Sequence, residues 1–417
     1  MNSEFRRQWS VLMAAGTGVM LGISAIPAYV LGVFAGPMTR EFGWSLGAYQ
    51  AGTLVFTVGI LLCSTWIGGL CDRYGARAVA MVGMPAGAIG VAGLSLVQAP
   101  AWSWWLLMFV ASLLGSGTVP TVWTRMVNAL FERRRGVALG LVLSGSGLFA
   151  LFGAPLAQWL IETFGWRGAW LGLALLPLVI GWSVIAVAFR GDDRPQVSDA
   201  ARAADVPVVA GMTHPEAMRH YRFWVMALGF GAVTVGVGGL NANFVPMLVS
   251  KGFTAGDAAQ LFGTLGLAIA VGRLAIGFVI DRVWAPGVAA AVLGLPAIGA
   301  WLLIGGDVTR SEAIVAAALL GFAQGAEYDF LAYMTARYFG MAHYGRIYGR
   351  IVIPIIVATA VGAFGVGYSK DLFGSFDAAL PVVALLFAGG ALSMLALGRY
   401  PPAFAVPAAG AGARAAA

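Results

Sequence analysis

The stretch GGLCDRYGARA, Gly68 to Ala78, sets Asp72, Arg73 and Arg77 among three glycines at the end of a long apolar run. GFVIDRV, Gly277 to Val283, repeats a glycine and the acidic-basic pair 209 residues later. Fixed charge in such surroundings raises the question of what the apolar runs on either side do.

Of the 417 residues, 60% are hydrophobic and only 10% are charged, with a mean hydropathy of +0.85. A soluble chain does not have this balance. A bilayer core needs about 20 apolar residues per helix. Runs of that length recur at 11–37, 47–71, 78–98, 103–127, 136–161, 168–190, 222–249, 257–280, 287–306, 312–337, 346–368 and 378–398, twelve in all. They lack the alternation of a membrane barrel. The first run is too long for a signal-peptide core and has no clear cleavage pattern, so it is expected to stay as helix 1. The expected fold class is all-α integral membrane, with twelve transmembrane helices.

Lys and Arg placement sets the orientation. With both termini grouped with the even-to-odd loops, Arg40, Arg167, Lys251, Arg310 and Lys370 fall on the opposite side and Arg273 falls inside a run. All the other basic residues share the terminus side, which the positive-inside rule makes cytoplasmic. The net charge of +7 is then a topology signal, and no nucleic-acid partner is expected. Cys63 and Cys71 make no disulfide framework, and His214, His220 and His343 have no zinc-ligand spacing. With no nucleotide or nucleophile motif, neither an enzyme nor a cofactor is expected.

The 209-residue offset maps Gly43, Gly47, Gly68, Asp72 and Arg73 onto Gly252, Gly256, Gly277, Asp281 and Arg282. Pro37 and Met38 map onto Pro246 and Met247, and Gly136 and Gly140 onto Gly345 and Gly349. A six-helix unit duplicated in parallel explains this. The expected division is an N-terminal half at 1–190, a polar cytoplasmic linker at 191–221, a C-terminal half at 222–400 and a disordered tail at 401–417.

The chain resembles the major facilitator superfamily over essentially its whole length. Gly68, Leu70, Asp72, Arg73, Gly75 and Arg77 match that family's loop 2–3 signature, with a weaker copy at Gly277, Asp281 and Arg282. Within it, FGWS after helix 1, RRRGVALGLVLSGSG opening helix 5 and GRLAIGFVIDR closing helix 8 look like the monocarboxylate and oxalate:formate exchanger branch. The resemblance implies alternating access between two halves around a central cavity. It also implies that the Gly68, Asp72, Arg73, Gly75, Arg77 cluster, with Asp281 and Arg282, latches the cytoplasmic side. An acid beside two arginines at a helix end can form charge-assisted bonds across a helix seam.

Charge at mid-depth is costly and marks function. Arg273 lies eight residues before Asp281, roughly 12 Å along the helix. Glu327 and Asp329, in GAEYDF on helix 10, lie about 15 and 12 Å from Arg337 by the same rise. Helices 8 and 10 run in the same direction, so the three charges share one level. Arg273 has the planar fork that suits a carboxylate, and the resembled exchangers hold their anion with an arginine in helix 8. Their oxalate-specific members add a lysine early in helix 11, where this chain has Arg350 one position out of register. Animal monocarboxylate carriers place an aspartate where Ile269 stands. Glu327 or Asp329 can supply that missing proton site, since burial favours the neutral acid. Being two residues apart, they point apart, so only one is expected to face Arg273.

Tyr29, Asn241, Asn243 and Tyr328 are candidate donors around the substrate. Trp44, Trp102, Trp104, Trp105 and Trp166 read as an interfacial belt. The expected function is a secondary active transporter of a small, monocarboxylate-like organic anion in the cell inner (plasma) membrane. Proton symport is preferred to exchange with a counter-anion, and the chain is expected to act as a monomer. Alternatives are an anion exchanger, efflux of amphipathic drug-like cations, and a non-transporting receptor with the same fold.

Overall fold

A computed structural model of the chain describes residues 3–130, 135–188, 211–280, 282–340 and 342–401. These residues are almost entirely helical, with one isolated bridge, Gly211 to Gly340. Eleven helical stretches are long and apolar enough to cross a membrane. One of them, Ala138–Ala188, reverses at Gly165, where φ is 71°. Leu160 and Gly172 meet across that reversal. Two crossings come from this stretch, which makes twelve.

The helices are α1 (Ser3–Leu21 and Ala25–Phe42), α2 (Leu46–Tyr74), α3 (Ala76–Leu96), α4 (Ala101–Gly115 and Pro120–Leu130), α5 (135–164) and α6 (166–188). They continue as α7 (Tyr221–Ser250), α8 (Ala255–Val279), α9 (Ala285–Leu302), α10 (Arg310–Phe339), α11 (Tyr344–Phe373) and α12 (Phe376–Leu397). The first residues of α2, α3, α4 and α5 recur 209 residues later as those of α8, α9, α10 and α11. The chemistry of the helix starts recurs as well. Ser45 caps α2 by accepting the Ala48 N–H, and Thr254 caps α8 by accepting the Asp257 N–H. The turns at Gly43 and Gly165 reappear at Gly252 and Gly374, all four with positive φ. Such φ values favour glycine. The duplication is therefore one of fold, carried by caps and turns.

Lipid tails are as apolar as leucine, so helices associate here through close packing and polar bonds. In α1 the helix breaks after Leu21, which frees the Ile23 N–H. Thr118, in the break of α4, accepts it at 2.9 Å. A side chain from one broken helix thus satisfies the freed backbone of the other, as a break at membrane depth requires of its surroundings.

Trp104 and Trp166 are buried against protein rather than facing outward. Trp104 stacks on Tyr49 at 5.1 Å and donates to the Tyr49 carbonyl, and Trp166 donates to Glu41. Their ring faces fill the N-terminal half while each N–H finds an acceptor. Trp102 is exposed.

On the face of the α1–α2 turn, each half is tied across three loops, with inverted charge. In the first half Glu41 at the end of α1 pairs with Arg167 at 2.6 Å, and Arg167 also donates to Val97. In the second half Lys251 at the end of α7 pairs with Asp377 at 2.7 Å and donates to Gly305. The linker's described end, from Gly211, docks on α10: the Met212 N–H donates to the Phe339 carbonyl at 2.8 Å.

The two halves meet through α2 against α11 and α5 against α8. A Cβ on Gly47 would fall 2.8 Å from Asp371, and one on Gly367 would fall 2.9 Å from Gln50. At the other end of the same helices, Gly68, Gly345 and Gly349 have nothing within 4 Å of an added Cβ. The seam is tight on the face of the α1–α2 turn and loose on the face nearer the termini.

Candidate functional site

Arg273 owes its place to backbone contact between α8 and α10. A Cβ on Gly272 would fall 2.3 Å from the Phe322 carbonyl oxygen, and one on Gly325 would fall 2.2 Å from that of Ile269. Only glycine permits this approach, which brings the Gly325 carbonyl to 3.4 Å from Arg273 Nε. Asp329, one turn further along α10, has Oδ2 3.8 Å from the same nitrogen. That separation is an ionic contact beyond hydrogen-bond length. Arg273 Nη1 is buried and has no partner. The guanidinium thus carries its charge into the site with hydrogen-bonding capacity to spare.

The two acids of α10 part company, as their spacing requires. Asp329 faces Arg273 and keeps its side chain 34% exposed. Glu327 is buried and hydrogen-bonds Thr234 on α7, whose hydroxyl also lies 2.8 Å from the Phe230 carbonyl. Water can reach the first carboxylate and not the second.

Around Arg273 the structure brings together five helices from both halves. Tyr29, buried on α1, lies within electrostatic range of Arg273 and near Ser146 of α5. Asn241 on α7 donates to Gln324 Oε1 at 3.2 Å, and Gln324 Nε2 reaches the Tyr29 hydroxyl at 3.5 Å. Tyr328 is half-buried, within electrostatic range of Tyr29 and of Tyr348 on α11.

Asn243 goes elsewhere. Its amide donates to the Gly239 and Ala363 carbonyls and its oxygen accepts from Gln50, so it knits α2, α7 and α11. The side chain is committed because α7 and α11 run in backbone contact, with a Cβ on Gly238 falling 2.1 Å from the Thr359 carbonyl oxygen.

Sequence reasoning missed Gln324, Ser146, Tyr348 and Thr234. A neutral polar residue inside an apolar run is a weak signal beside a charge. One further clue exists in the repeat itself. The residues 209 positions before Arg273, Glu327 and Asp329 are Ser64, Thr118 and Pro120. The charged site therefore departs from the duplicated pattern and belongs to the second half.

Of the expected latch, Arg73 lies over the Tyr74 ring at 5.2 Å and Arg282 donates to the Phe278 carbonyl of its own helix. Arg77 is exposed and Gly75 makes the α2–α3 turn with φ of 84°. The Asp72 side chain and Asp281 lie outside the described residues.

The Major Facilitator Superfamily model matches residues 17–353. Relatives include monocarboxylate transporter 11 of Homo sapiens, 25% identical over 80% of this chain and 71% of the relative. Monocarboxylate transporter 13 of Bos taurus is 28% identical over 77% and 73%. The 3-(3-hydroxy-phenyl)propionate transporter of Escherichia coli is 29% identical over 60% of each. Among solved structures, the nucleoside transporter NupG superposes with a TM-score of 0.71 at 12% identity, over 94% of this chain and 99% of that one. A bacterial homologue of the human lysosomal transporter Spinster gives 0.64 at 17%, over 95% and 94%. At such identities the two structures speak for the fold alone.

Proposed function

Because the chain belongs to the major facilitator superfamily, we propose that it is a secondary transporter carrying a small monocarboxylate, coupled to protons, by alternating access. The observation that carries this reading is Arg273: a buried guanidinium with Nη1 unpartnered and its one acid at 3.8 Å. A substrate carboxylate can take the guanidinium in a two-bond fork, which Asp329 does not form. Asp329 is then left beside a second negative charge and takes up a proton from the open face. Guanidinium, substrate anion and protonated acid sum to zero charge, the same as guanidinium and ionised acid in the empty site, so the anion and its proton cross as a neutral pair.

Glu327, sealed against Thr234, holds α7 to α10 in this scheme. The halves 1–190 and 222–400 rock about the site, joined by 191–221, and the matched helix starts support that division. The Gly68 to Arg77 segment and Arg282 line the cytoplasmic seam that must tighten when the other face opens. Basic residues gathered on the terminus side support cytoplasmic termini, and the membrane proposed is the plasma membrane. Relatives named monocarboxylate transporters over three quarters of the chain support the substrate class.

The test is uptake of labelled monocarboxylates into proteoliposomes holding the purified protein, with and without an imposed pH gradient. Accumulation driven by external acid, lost in Arg273→Ala, is the expected result. Wild-type protein that moves no monocarboxylate, or an Arg273→Ala variant that moves one at the wild-type rate, overturns the proposal.

A further inference from the structure

Resting on the carboxylate reading of Arg273, we infer that the site has a second arm which requires a hydroxyl on the substrate, with Asn241 as the discriminating residue and Gln324 as its positioning residue. The amides form a directed chain. Asn241 Nδ2 donates to Gln324 Oε1 at 3.2 Å, and Gln324 Nε2 donates to the Tyr29 hydroxyl at 3.5 Å. In this arrangement the Asn241 oxygen is the free end of the chain. Asn241 is only 9% exposed, and Oδ1 is buried with no hydrogen-bond partner. A buried carbonyl oxygen without a donor is costly, and native structures satisfy such groups from protein, water or ligand.

The second orphan has the opposite character. Arg273 Nη1 is a donor without an acceptor, and Asn241 Oδ1 is an acceptor without a donor. Both side chains are held by consecutive residues of α10, Arg273 through the Gly325 carbonyl and Asn241 through the Gln324 side chain. One small molecule satisfies both only if it offers an anionic acceptor and a donor. An ammonium donor would sit beside the guanidinium and be repelled, whereas a hydroxyl carries no charge. An ether or ketone at that position has nothing to give Asn241. The site therefore selects hydroxylated monocarboxylates over unsubstituted, methoxy or keto analogues of the same size. A site built to hydrogen-bond a hydroxyl rejects the analogue lacking it far more strongly than an apolar pocket rejects an extra group.

The experiment is calorimetric or thermal-shift titration of the full chain in detergent with propionate, α-hydroxypropionate, β-hydroxypropionate, α-methoxypropionate and α-ketopropionate. At least one hydroxypropionate is expected to bind wild type ~10-fold or more tighter than the other three. Asn241→Leu should bind all five alike, and Gln324→Leu should shrink the preference. Equal binding of hydroxy and methoxy acids by wild type overturns the inference but leaves the carboxylate reading intact, provided Arg273→Ala abolishes binding. A preference for the keto acid overturns it too, because the amide chain would then run the other way. If no acid of the five binds, both readings fall. The wild-type ranking decides the matter even if a variant does not fold.

Discussion

Asp371, near the end of α11, clasps the first turn of α2 through Gly47: its Oδ2 lies 2.5 Å from the Gly47 N–H nitrogen, and its Oδ1 2.9 Å from that of Leu46. A carboxylate from one half thereby caps a helix of the other, where free N–H groups and the helix dipole both favour negative charge. One turn inward, Gln50 donates to Ala242 and Asn243 across the same seam. Losing a cap costs about 0.5–2 kcal/mol, enough to change the ratio of two conformers by ~2–30-fold. Asp371→Ala is expected to shift the protein toward states open on this face, with Asp371→Asn milder because one oxygen remains. Electron-resonance distances between labels on the α1–α2 and α11–α12 turns check this; an unchanged distribution in Asp371→Ala shows that the clasp sets nothing.

Asp329 and Arg273 should separate coupling from binding. Asp329→Asn leaves the guanidinium free for a carboxylate but has no proton to give or take. Counterflow exchange of labelled for unlabelled substrate should persist in this variant while accumulation driven by a pH gradient disappears. Arg273→Lys keeps a charge and loses the fork, so affinity should fall ~10-fold or more. Proteoliposome exchange and gradient-driven uptake, measured side by side, distinguish the two defects. Gradient-driven accumulation retained in Asp329→Asn would remove Asp329 from the coupling scheme.

How far the site was legible depended on charge. Arg273, Glu327 and Asp329 stand out because an ion in an apolar run is rare, and helical spacing alone sends the two acids to different faces. Which acid meets Arg273 depends on Gly272 and Gly325 letting α8 and α10 touch, a tertiary fact that small residues signal only loosely. The same limit explains Asn243. Its side chain is spent on the Ala363 carbonyl, and nothing in a single run announces that neighbour. The twelve crossings, by contrast, follow from length and hydropathy, and the repeat from caps and turns that each half must form locally. The break in α1 at residues 22–24 is marked by Pro27, in the first turn of the segment that follows, and Thr118 stabilises it from another helix.

Glu327 and Thr234 predict a variant that is tolerated and one that is not. The Thr234 hydroxyl has one hydrogen and two acceptors in reach, Phe230 and Glu327. Glu327→Gln can donate to Oγ1 while that hydrogen stays on the Phe230 carbonyl, so stability and pH-driven uptake should remain near wild type. Thr234→Val strands the buried carboxyl, at a cost of about 1–3 kcal/mol, and should lower the melting temperature in detergent. Loss of pH-driven uptake in a well-folded Glu327→Gln would move proton coupling from Asp329 to Glu327.

Lys251 and Asp377 test whether the inverted ties of the two halves differ in weight. The Lys251 side chain is only 5% exposed, whereas Arg167 and Glu41 are 47% and 42% exposed. Removing the partner of a buried charge costs about 3–5 kcal/mol, while an exposed pair contributes about 0–1 kcal/mol. Asp377→Asn should therefore destabilise the protein far more than Glu41→Gln, even though both break one ion pair at the same place in the repeat. Replacing both partners, Lys251→Met with Asp377→Leu, removes the stranded charge and should recover much of the loss. Unfolding midpoints of the three variants and the wild type in one detergent give the comparison, and equal losses for Asp377→Asn and Glu41→Gln would show that burial of Lys251 does not govern the tie.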